Sequence, residues 1–575
     1  MKKLTFLGIL LFLFATRLFL ATILPPGLSD DEVEYAISAK SYSLYGKDAS
    51  GYRLPVSLFK TETYGKISSV PAIFTSLPLK IFPLNLTTLR ISYTTVNLIT
   101  AILLYIFVIT ILKTRTVAIL ATILFILNPW STFLSYYIGD SPFALLFYLA
   151  AVITLIKYSG KKMIIPFILF ALAFFSYQGG KLIFIPVILI TIWYKTKQQG
   201  KDLLESKSNL LFIALSIIFL ILYLFISYKI PNSDINSRIN EISSLSSDST
   251  SIVNKDRRQT ISIPLNSFFI NKFVIETKTI IKRYLSAFSP EILFISGDTR
   301  ALYRFEENGL FYLIDIPLII LGILEIYKRK KNAFHFLIAL LIIAPLPTAL
   351  SKVETSVIHR SFFLLPILTI FSAYGLDKLL KSKKLKSLLA LSLIVLLLIQ
   401  VLYFYHFYFF RLPVVGQEKY WLSESVLNKY LNYSDSKAVF VSPAARSSFL
   451  RFILLSDNKT QKEFLKKDYP YRENETEREY QFKNITFTHN CPEKLDDKII
   501  YAISYRNNCK IDEKPSFLIQ DQRDAGTLIS IYNSKICQGI SKDTYRRFHL
   551  RRYYSLEKMN YEDFCSNWIN IPLPN

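Results

Sequence analysis

The sequence predicts an α-helical polytopic membrane protein with a C-terminal α/β domain on the external side of the membrane. Three observations predict this class. Hydrophobic residues make up 51% of the 575 residues and charged residues only 19%, with a mean hydropathy of +0.31. Basic residues occur in every second loop between the apolar runs, and all four cysteines lie near the end of the chain.

The apolar residues are gathered into long runs. A helix needs roughly 20 apolar residues to cross a hydrocarbon core of about 30 Å, and several runs reach or approach that length. Backbone polar groups in lipid must be hydrogen-bonded within the segment, so the runs are predicted to be helices. This reading gives about eleven spans, near residues 4–24, 86–112, 117–136, 141–156, 163–176, 182–194, 210–228, 311–327, 333–350, 360–379 and 387–410.

Basic clusters then orient the spans, because lysine and arginine near span ends stay on the cytoplasmic side. The clusters lie at 2–3, 113–115, 157–162, 195–207, 328–331 and 381–386. All fall on alternate loops, so they share the cytoplasmic side of the plasma (inner) membrane. Part of the net charge of +25 is therefore explained by the lysines and arginines that orient the spans, and no nucleic-acid partner is predicted.

Two domains follow from this topology. Residues 1–410 form the transmembrane domain, with long external loops at 25–85 and 229–310, and residues 411–575 form an external soluble domain. The loop 229–310 begins with a Ser/Asn-rich stretch and turns apolar and aromatic, which suggests a lid over a ligand. The tail of roughly 165 residues is long enough for its own core.

The tail carries the signals of a small α/β fold. Residues 437–441, 498–504 and 527–532 have strand patterns, and 447–455 is typical of an amphipathic helix. Cysteines outside the cell favour two disulfides, and the alternative is four unpaired thiols. The pairing is open, although pairing the first two and the last two closes the shortest loops; the cysteines are Cys491, Cys509, Cys537 and Cys565.

An acidic cluster opens the first external loop. Asp30, Asp31 and Glu32 precede a run with helical spacing, which predicts a helix lying along the membrane surface. Ser29 and Glu32 have the spacing of a capping box, and carboxylates suit a first helical turn, so a structural role alone is the alternative. Other polar features share the external side: Lys66, Asp140, the segment 177–181 and the pair His359-Arg360.

The segment Asp31-Glu32-Val33-Glu34-Tyr35-Ala36 resembles a family signature. It is similar to the Asp-Glu-x-x-Tyr-Ala motif in the first external loop of GT-C glycosyltransferases, notably protein O-mannosyltransferases and the lipid A aminoarabinose transferase. Later features follow in a similar order over about residues 1–415, and these are Tyr64-Gly65-Lys66, Asn128-Pro129-Trp130 leading to Asp140, residues 177–181, residues 284–294, and Pro347 through His359-Arg360.

The resemblance implies a GT-C-like fold and a transferase that moves a monosaccharide from a polyprenyl-phosphate carrier to an acceptor hydroxyl, with inversion. The acceptor would be a protein or an envelope glycan or lipid, reached from the external face among membrane lipids. Asp31 is expected to be the general base, with Glu32 and Asp140 in the catalytic site. The residues expected at the donor phosphate are Lys66, Lys181, His359 and Arg360.

No cofactor is required by this chemistry. The sequence has no His/Cys cluster with zinc spacing, so no metal site is predicted. A divalent cation held by Asp31, Glu32 and the donor phosphate stays open as an alternative. For Asp140, a cap at the start of the next helix is an equally simple interpretation.

Two other functions compete with this one. A glycan polymerase or ligase would use a lipid-diphosphate donor and is expected to carry paired arginines in a large late loop. A flippase or transporter of lipid-linked sugars is expected to have ionisable residues at the membrane midplane or two similar halves, and neither is evident in the sequence.

Overall fold

We obtained a computed structural model of the chain. It describes residues 3–22, 27–59, 67–200, 206–230, 249–298, 308–351, 356–381, 388–466, 479–521, 523, 525–540 and 556–572. These residues form a helical N-terminal part and a C-terminal part built on a β-sheet. Lys66 and the segment 64–66 lie outside the described residues, as does most of the Ser/Asn-rich stretch of the loop 229–310.

The apolar runs of the N-terminal part form helices. Those of eight or more residues include α1 (Lys3–Ala21), α2 (Asp30–Tyr45), α3 (Ser69–Leu79), α4 (Leu86–Leu112), α5 (Arg115–Leu127), α6 (Pro129–Tyr136), α7 (Ser141–Lys157), α8 (Ile164–Ser176), α9 (Phe184–Gln199), α10 (Lys207–Lys229), α11 (Lys272–Ser286), α12 (Asp315–Arg329), α13 (Lys331–Ile343), α14 (Leu364–Lys381) and α15 (Leu388–His406). Residues 249–258 are also helical. Shorter helical segments are Val56–Leu58, Gly160–Met163, Gly179–Ile183, Asn266–Phe269, Glu291–Ile295, Leu346–Ala349, Val357–Arg360, Phe407–Arg411 and Leu412–Val415.

Five described stretches are long and apolar enough to cross a membrane, namely Leu86–Leu112, Gly179–Gln199, Lys207–Lys229, Lys331–Ala349 and Leu391–Val415. A sixth span results if α5 and α6 count as one, although they bend by 61° at Asn128, where Pro129 begins α6. A helix lies within each predicted span, but several are shorter than a bilayer requires. The prediction of a helical integral membrane protein is supported, and the number of about eleven spans stays a prediction.

Glycine sets the closest helix packing in the bundle. Gly322 of α12 and Gly375 of α14 face each other, and a Cβ at Gly322 would overlap the Phe371 carbonyl. A Cβ at Gly375 would likewise overlap the Leu318 carbonyl. Small residues at such crossings let two backbones approach in lipid.

The helix α2 is buried within the protein over most of its length. Every side chain from Glu32 to Tyr42 is buried. Gly46 caps the C-terminus of the helix, and its φ of +66° suits a residue without a Cβ. The C-terminal part covers the face of α2 that is turned away from the bundle; the hydroxyl of Tyr45, for example, donates to the Lys462 carbonyl at 2.8 Å. The position of this helix along the membrane surface stays a prediction.

The C-terminal part is a seven-stranded mixed sheet with helices, as the sequence predicts. Its strands are β1 (Ala438–Val441), β2 (Tyr480–Phe482), β3 (Ile485–Thr488), β4 (Ile500–Ser504), β5 (Phe517–Gln520), β6 (Thr527–Tyr532) and β7 (Ile569–Asn570), in the order β2-β3-β1-β4-β6-β5-β7. The strand β1 is parallel to both β3 and β4, and the other pairs are antiparallel. The helical segments here are α16 (Leu422–Leu431), α17 (Ala445–Leu454), α18 (Asn458–Leu465), α19 (Tyr561–Trp568), and the short turns Gln417–Lys419, Tyr505–Asn507 and Leu556–Lys558.

The four cysteines form two disulfides in this domain. Cys491 pairs with Cys509 and Cys537 with Cys565, at Cα–Cα distances of 5.5 and 5.4 Å. This is the pairing that closes the shortest loops. The external side of the domain and its boundary at 410/411 stay predictions.

Candidate active site

Glu32 fixes the N-terminus of α2 to the bundle. One carboxylate oxygen accepts hydrogen bonds from the Ser29 backbone N–H at 2.9 Å and from the Ser29 hydroxyl at 2.8 Å. The other accepts the Ile138 backbone N–H at 3.1 Å. Burial raises the pKa of Glu32, and the hydrogen bonds from Ser29 and Ile138 counter part of that rise. The capping role of Glu32 is therefore present, and its contact with Ile138 joins α2 to the segment before α7.

That segment ends in Asp140, whose charge, like that of Asp31, acts on the phenol of Tyr35. Tyr35 lies one turn after Asp31, and its hydroxyl oxygen accepts the Ser68 backbone N–H at 2.9 Å. Burial raises the pKa of Tyr35 well above its usual value, and the charges of Asp140 and Asp31 raise it further. The carboxylate of Asp140 makes no capping hydrogen bond to the first turn of α7. The geometry therefore gives no support to the cap interpretation of Asp140.

His359 lies beside the same segment. Its Nδ1 is 2.9 Å from the hydroxyl of Ser141, the residue after Asp140, and its ring packs 4.3 Å from that of Tyr137. Trp130 holds the turn that carries His359, because its indole N–H donates to the Ile358 carbonyl at 2.8 Å. His359 thus lies beside the residue that follows Asp140, and its place in the catalytic site stays a prediction.

Lys181 has an aromatic environment. Its ammonium group donates to the Tyr223 hydroxyl at 2.6 Å and lies 4.6 Å from the centre of that ring. The same ammonium group lies 5.4 Å from the centre of the Phe174 ring and 6.0 Å from the centre of the Phe175 ring. Such cation–π contacts stabilise the charge of the lysine. A phosphate contact of Lys181 stays a prediction.

Arg360 lies near an arginine that the sequence analysis did not select. Burial lowers the pKa of Arg283 in α11, and the positive charge of Arg360 lowers it further. The Arg283 guanidinium donates to the Ser351 carbonyl, so α11 is held against the segment before Val357–Arg360. Two guanidinium groups at one place repel each other, and a bound anion would remove that cost.

The C-terminal domain holds the opposite face of α2 with two arginines of α17. Arg446 pairs with Glu34 at 2.9 Å, and both side chains are less than a tenth exposed. Arg451 contacts Asp30 and also pairs with Glu424 of α16 at 2.8 Å. The contacts of Arg446 with Glu34 and of Arg451 with Asp30 join residues more than 400 positions apart in the chain, so no local signal in the sequence could have identified them.

A cavity of about 420 Å³ lies between the start of α2 and the C-terminal domain. It is lined by Ser29, Asp30, Asp31, Val415, Gly416, Glu418, Lys419, Trp421, Arg506 and Arg523. Among the described residues selected from the sequence, Asp31 alone lines it. The contributions of the C-terminal domain were missed; the only signal was a cluster of charged and aromatic residues just after the last span.

Within the ranges that the structure describes, no group of three or more histidine, cysteine, aspartate or glutamate side chains is arranged to hold a metal ion. Independence from metals stays a prediction.

No family model and no curated protein matches the sequence. Several solved structures are similar to the chain at low sequence identity, among them the following two. The chain is similar to the oligosaccharyltransferase of Archaeoglobus fulgidus in its apo form, with 12% identity, 78% of this chain and 64% of that chain covered, and a TM-score of 0.44. It is also similar to ArnT from Cupriavidus metallidurans bound to undecaprenyl phosphate, with 10% identity, coverages of 92% and 97%, and a TM-score of 0.47. The chain thus spans less than two thirds of the archaeal protein, and at these scores neither similarity assigns a function.

Proposed function

We propose that this chain is a membrane glycosyltransferase that moves a monosaccharide from a polyprenyl-phosphate carrier to an acceptor hydroxyl on the external face, with inversion. The supporting observation is the position of Asp31. It lines the cavity of about 420 Å³, and its charge acts on the phenol of Tyr35, as does the charge of Asp140. Asp31 thus faces a cavity that is large enough for part of a substrate.

In the proposed step, the acceptor oxygen attacks the anomeric carbon as the bond from that carbon to the phosphate oxygen breaks. The phosphate leaves with the bonding electrons, and Asp31 takes the hydroxyl proton. A single displacement inverts the anomeric configuration. Asp140 orients the acceptor beside Asp31, and Glu32 positions α2 through its contact with Ile138.

The leaving phosphate needs positive charge more than it needs a proton. Arg360 is the proposed principal contact because a guanidinium binds phosphate through a bidentate fork. Arg283 is the proposed second contact, because the positive charge of Arg360 acts on it and a bound anion would offset that repulsion. His359, Lys181 and Lys66 complete the proposed phosphate side.

The lipid part of the donor requires apolar surface on the helices. In the spans Lys207–Lys229 and Leu391–Val415, only 22% and 28% of the most apolar 18-residue stretch is buried inside the protein. Such outward apolar faces suit membrane lipids and a polyprenyl chain. The transfer assay described next identifies the sugar and the class of acceptor.

The test is transfer by the purified chain in nanodiscs from synthetic polyprenyl-phosphate hexoses and pentoses to a membrane extract. Asp31→Asn keeps the size of the side chain and removes the proton acceptor. We expect the transfer rate to fall by about 10²–10⁴-fold, the usual contribution of a general base, while the affinity for the donor stays within about twofold.

Asp30→Asn is the matched control, because it removes the same charge from the adjacent position of the same cavity. It should keep the transfer rate close to that of the parent. Transfer at the parent rate by Asp31→Asn would rule out the proposed base. Donor binding without transfer by the parent protein would instead favour a flippase, and transfer only from a lipid diphosphate would favour a polymerase or ligase.

A further inference from the structure

We propose that the cavity between α2 and the C-terminal domain is the acceptor site, and that it selects an acceptor carrying an anionic group, which Arg506 binds while the hydroxyl lies at Asp31. This inference rests on the proposed function and names the chemistry of its acceptor. Four observations support it: the size of the cavity, the pairing of its charges, the fixed orientation of Arg506, and the position of Asp31 in the same cavity.

The cavity has the dimensions of a ligand site. Its volume of about 420 Å³ falls in the range of roughly 300–1,000 Å³ found for pockets that hold small molecules. Both parts of the chain contribute to it, with Asp31 from α2 and Arg506 from the turn after β4. A group of the acceptor that reaches across the cavity therefore contacts both the proposed base and the C-terminal domain.

The cations of the cavity differ in how they are paired. Arg523 is held by Asp521, with a closest contact of 2.8 Å, and also donates to the Val415 carbonyl at 3.0 Å. Arg506 has no carboxylate within ion-pair distance among the described residues. Burial raises the pKa of Glu418 and the charge of Arg506 counters part of that rise, but that carboxylate is hydrogen-bonded to Ser423 at 3.1 and 3.3 Å. Arg506 is thus a cation of the cavity that the described carboxylates leave available to an anion.

Arg506 is held in a fixed orientation although it is exposed. Its guanidinium lies 4.4 Å from the centre of the Trp421 ring, and its Nε donates to the Tyr505 hydroxyl at 3.2 Å. Arg451 lies 4.6 Å from the centre of the same Trp421 ring. Trp421 adopts a φ of +50°, a left-handed conformation that costs a residue with a Cβ roughly 1–2 kcal/mol, so its surroundings must hold it there.

This arrangement suits an oxyanion. Stacking on Trp421 fixes the plane of the guanidinium, and a planar guanidinium can offer two parallel N–H donors to a carboxylate or a phosphate. Because the plane is already set, less side-chain entropy is lost when the anion binds. A neutral acceptor would gain no charge-assisted hydrogen bond from the fixed Arg506 guanidinium.

The experiment measures weak binding to the full-length protein in nanodiscs by saturation-transfer NMR with two matched pairs of probes. One pair is glycerol 3-phosphate and glycerol, and the other is glucuronate and glucose. We expect the anionic member of at least one pair to bind about 10-fold or more tightly than its neutral partner, as for a charge-assisted contact. The pair that responds distinguishes phosphate from carboxylate.

Three variants locate the contact. Arg506→Gln should reduce the affinity of the anion to that of the neutral probe, and Arg506→Lys should retain only part of the preference because lysine lacks the planar fork. Arg523→Gln removes the same charge from the same cavity and should change the affinity by less than about threefold, since Arg523 is already paired with Asp521.

The outcomes separate this inference from the proposed function. Equal binding of charged and neutral probes, or an unchanged anion preference in Arg506→Gln, overturns the acceptor assignment whatever the transfer assay gives. Conversely, if the parent protein transfers no sugar while Arg506 still selects the anion, the proposed function fails and the anion site stands.

Discussion

The two faces of α2 are held by different kinds of interaction. Toward the bundle, Glu32 accepts the backbone N–H of Ile138, and Tyr35 accepts that of Ser68. Toward the C-terminal domain, Glu34 forms a buried ion pair with Arg446, and Asp30 contacts Arg451. Asp31 lies between these faces and lines the cavity.

The difference indicates a division of roles, in which the bundle positions α2 and the C-terminal domain determines the specificity of the cavity. Backbone N–H groups are fixed by the secondary structure to which they belong, so the bundle sets the place of α2 with neutral donors. The C-terminal domain holds α2 with charges, and the same domain supplies the charged wall of the cavity. The bundle would then serve the donor and the domain the acceptor, and the following predictions test that division from the largest effect to the smallest.

The ion pair between Glu34 and Arg446 should have the largest effect on the docking of the domain. Arg446→Met leaves Glu34 buried without its partner, which typically costs about 3–5 kcal/mol. Hydrogen exchange of the amides of α2 should therefore accelerate by about 10²-fold or more. The double variant Arg446→Met with Glu34→Leu should recover most of the protection, because no unpaired charge is left. Equal exchange in the parent and the single variant would show that the pair does not dock the domain.

The affinity for the donor should depend on the bundle and its loops rather than on the domain. Arg283→Gln and Arg360→Gln should each weaken donor binding by about 1.5–3 kcal/mol, the range for hydrogen bonds to a charged group. Arg257→Gln, in the same segment 229–310 as Arg283, is the control, since the Arg257 guanidinium donates to the Ile270 carbonyl and the side chain is exposed. Titration of nanodiscs with a polyprenyl-phosphate sugar measures the change. Unchanged affinity in both variants would remove these arginines from the phosphate site.

The contact of Glu32 with Ile138 tests the bundle face of α2. Glu32→Ala leaves the buried Ile138 N–H without its acceptor, which should cost about 1–3 kcal/mol in thermal unfolding. Glu32→Gln keeps an acceptor oxygen and should retain most of the stability. If Gln were as damaging as Ala, the charge of Glu32 rather than its hydrogen bonds would be the important property, and a role for Glu32 in the chemistry would return.

Asp30 should show the smallest effect. Its side chain is 47% exposed, so its contact with Arg451 is screened by solvent, and Arg451 keeps Glu424 as a partner. Asp30→Asn should therefore change the stability by less than about 1 kcal/mol. Thermal unfolding at low and high salt measures this, and a loss as large as that of Arg446→Met would place Asp30 among the docking residues.

Much of the fold could be predicted because it depends on local pattern. Apolar runs of helical length gave the positions of the helices, and alternating apolar residues gave β1, β4 and β6. The strands β2 and β7 have only three and two residues, too few for a periodic signal. The burial of α2 could not be predicted, because its carboxylates are paired with arginines that are distant in the sequence.

The sequence by itself determined the membrane class, the positions of the apolar helices and the acidic turn that contains Asp31, because each follows from residues close together in the chain. Only the tertiary structure decided which distant groups the carboxylates of that turn contact and which of them line a cavity. The reason is physical: Glu32 meets Ile138 and Asp30 meets Arg451 across 106 and 421 residues. Contacts at such separations form only when the chain packs, and no periodicity of the sequence encodes which side chains will then face each other.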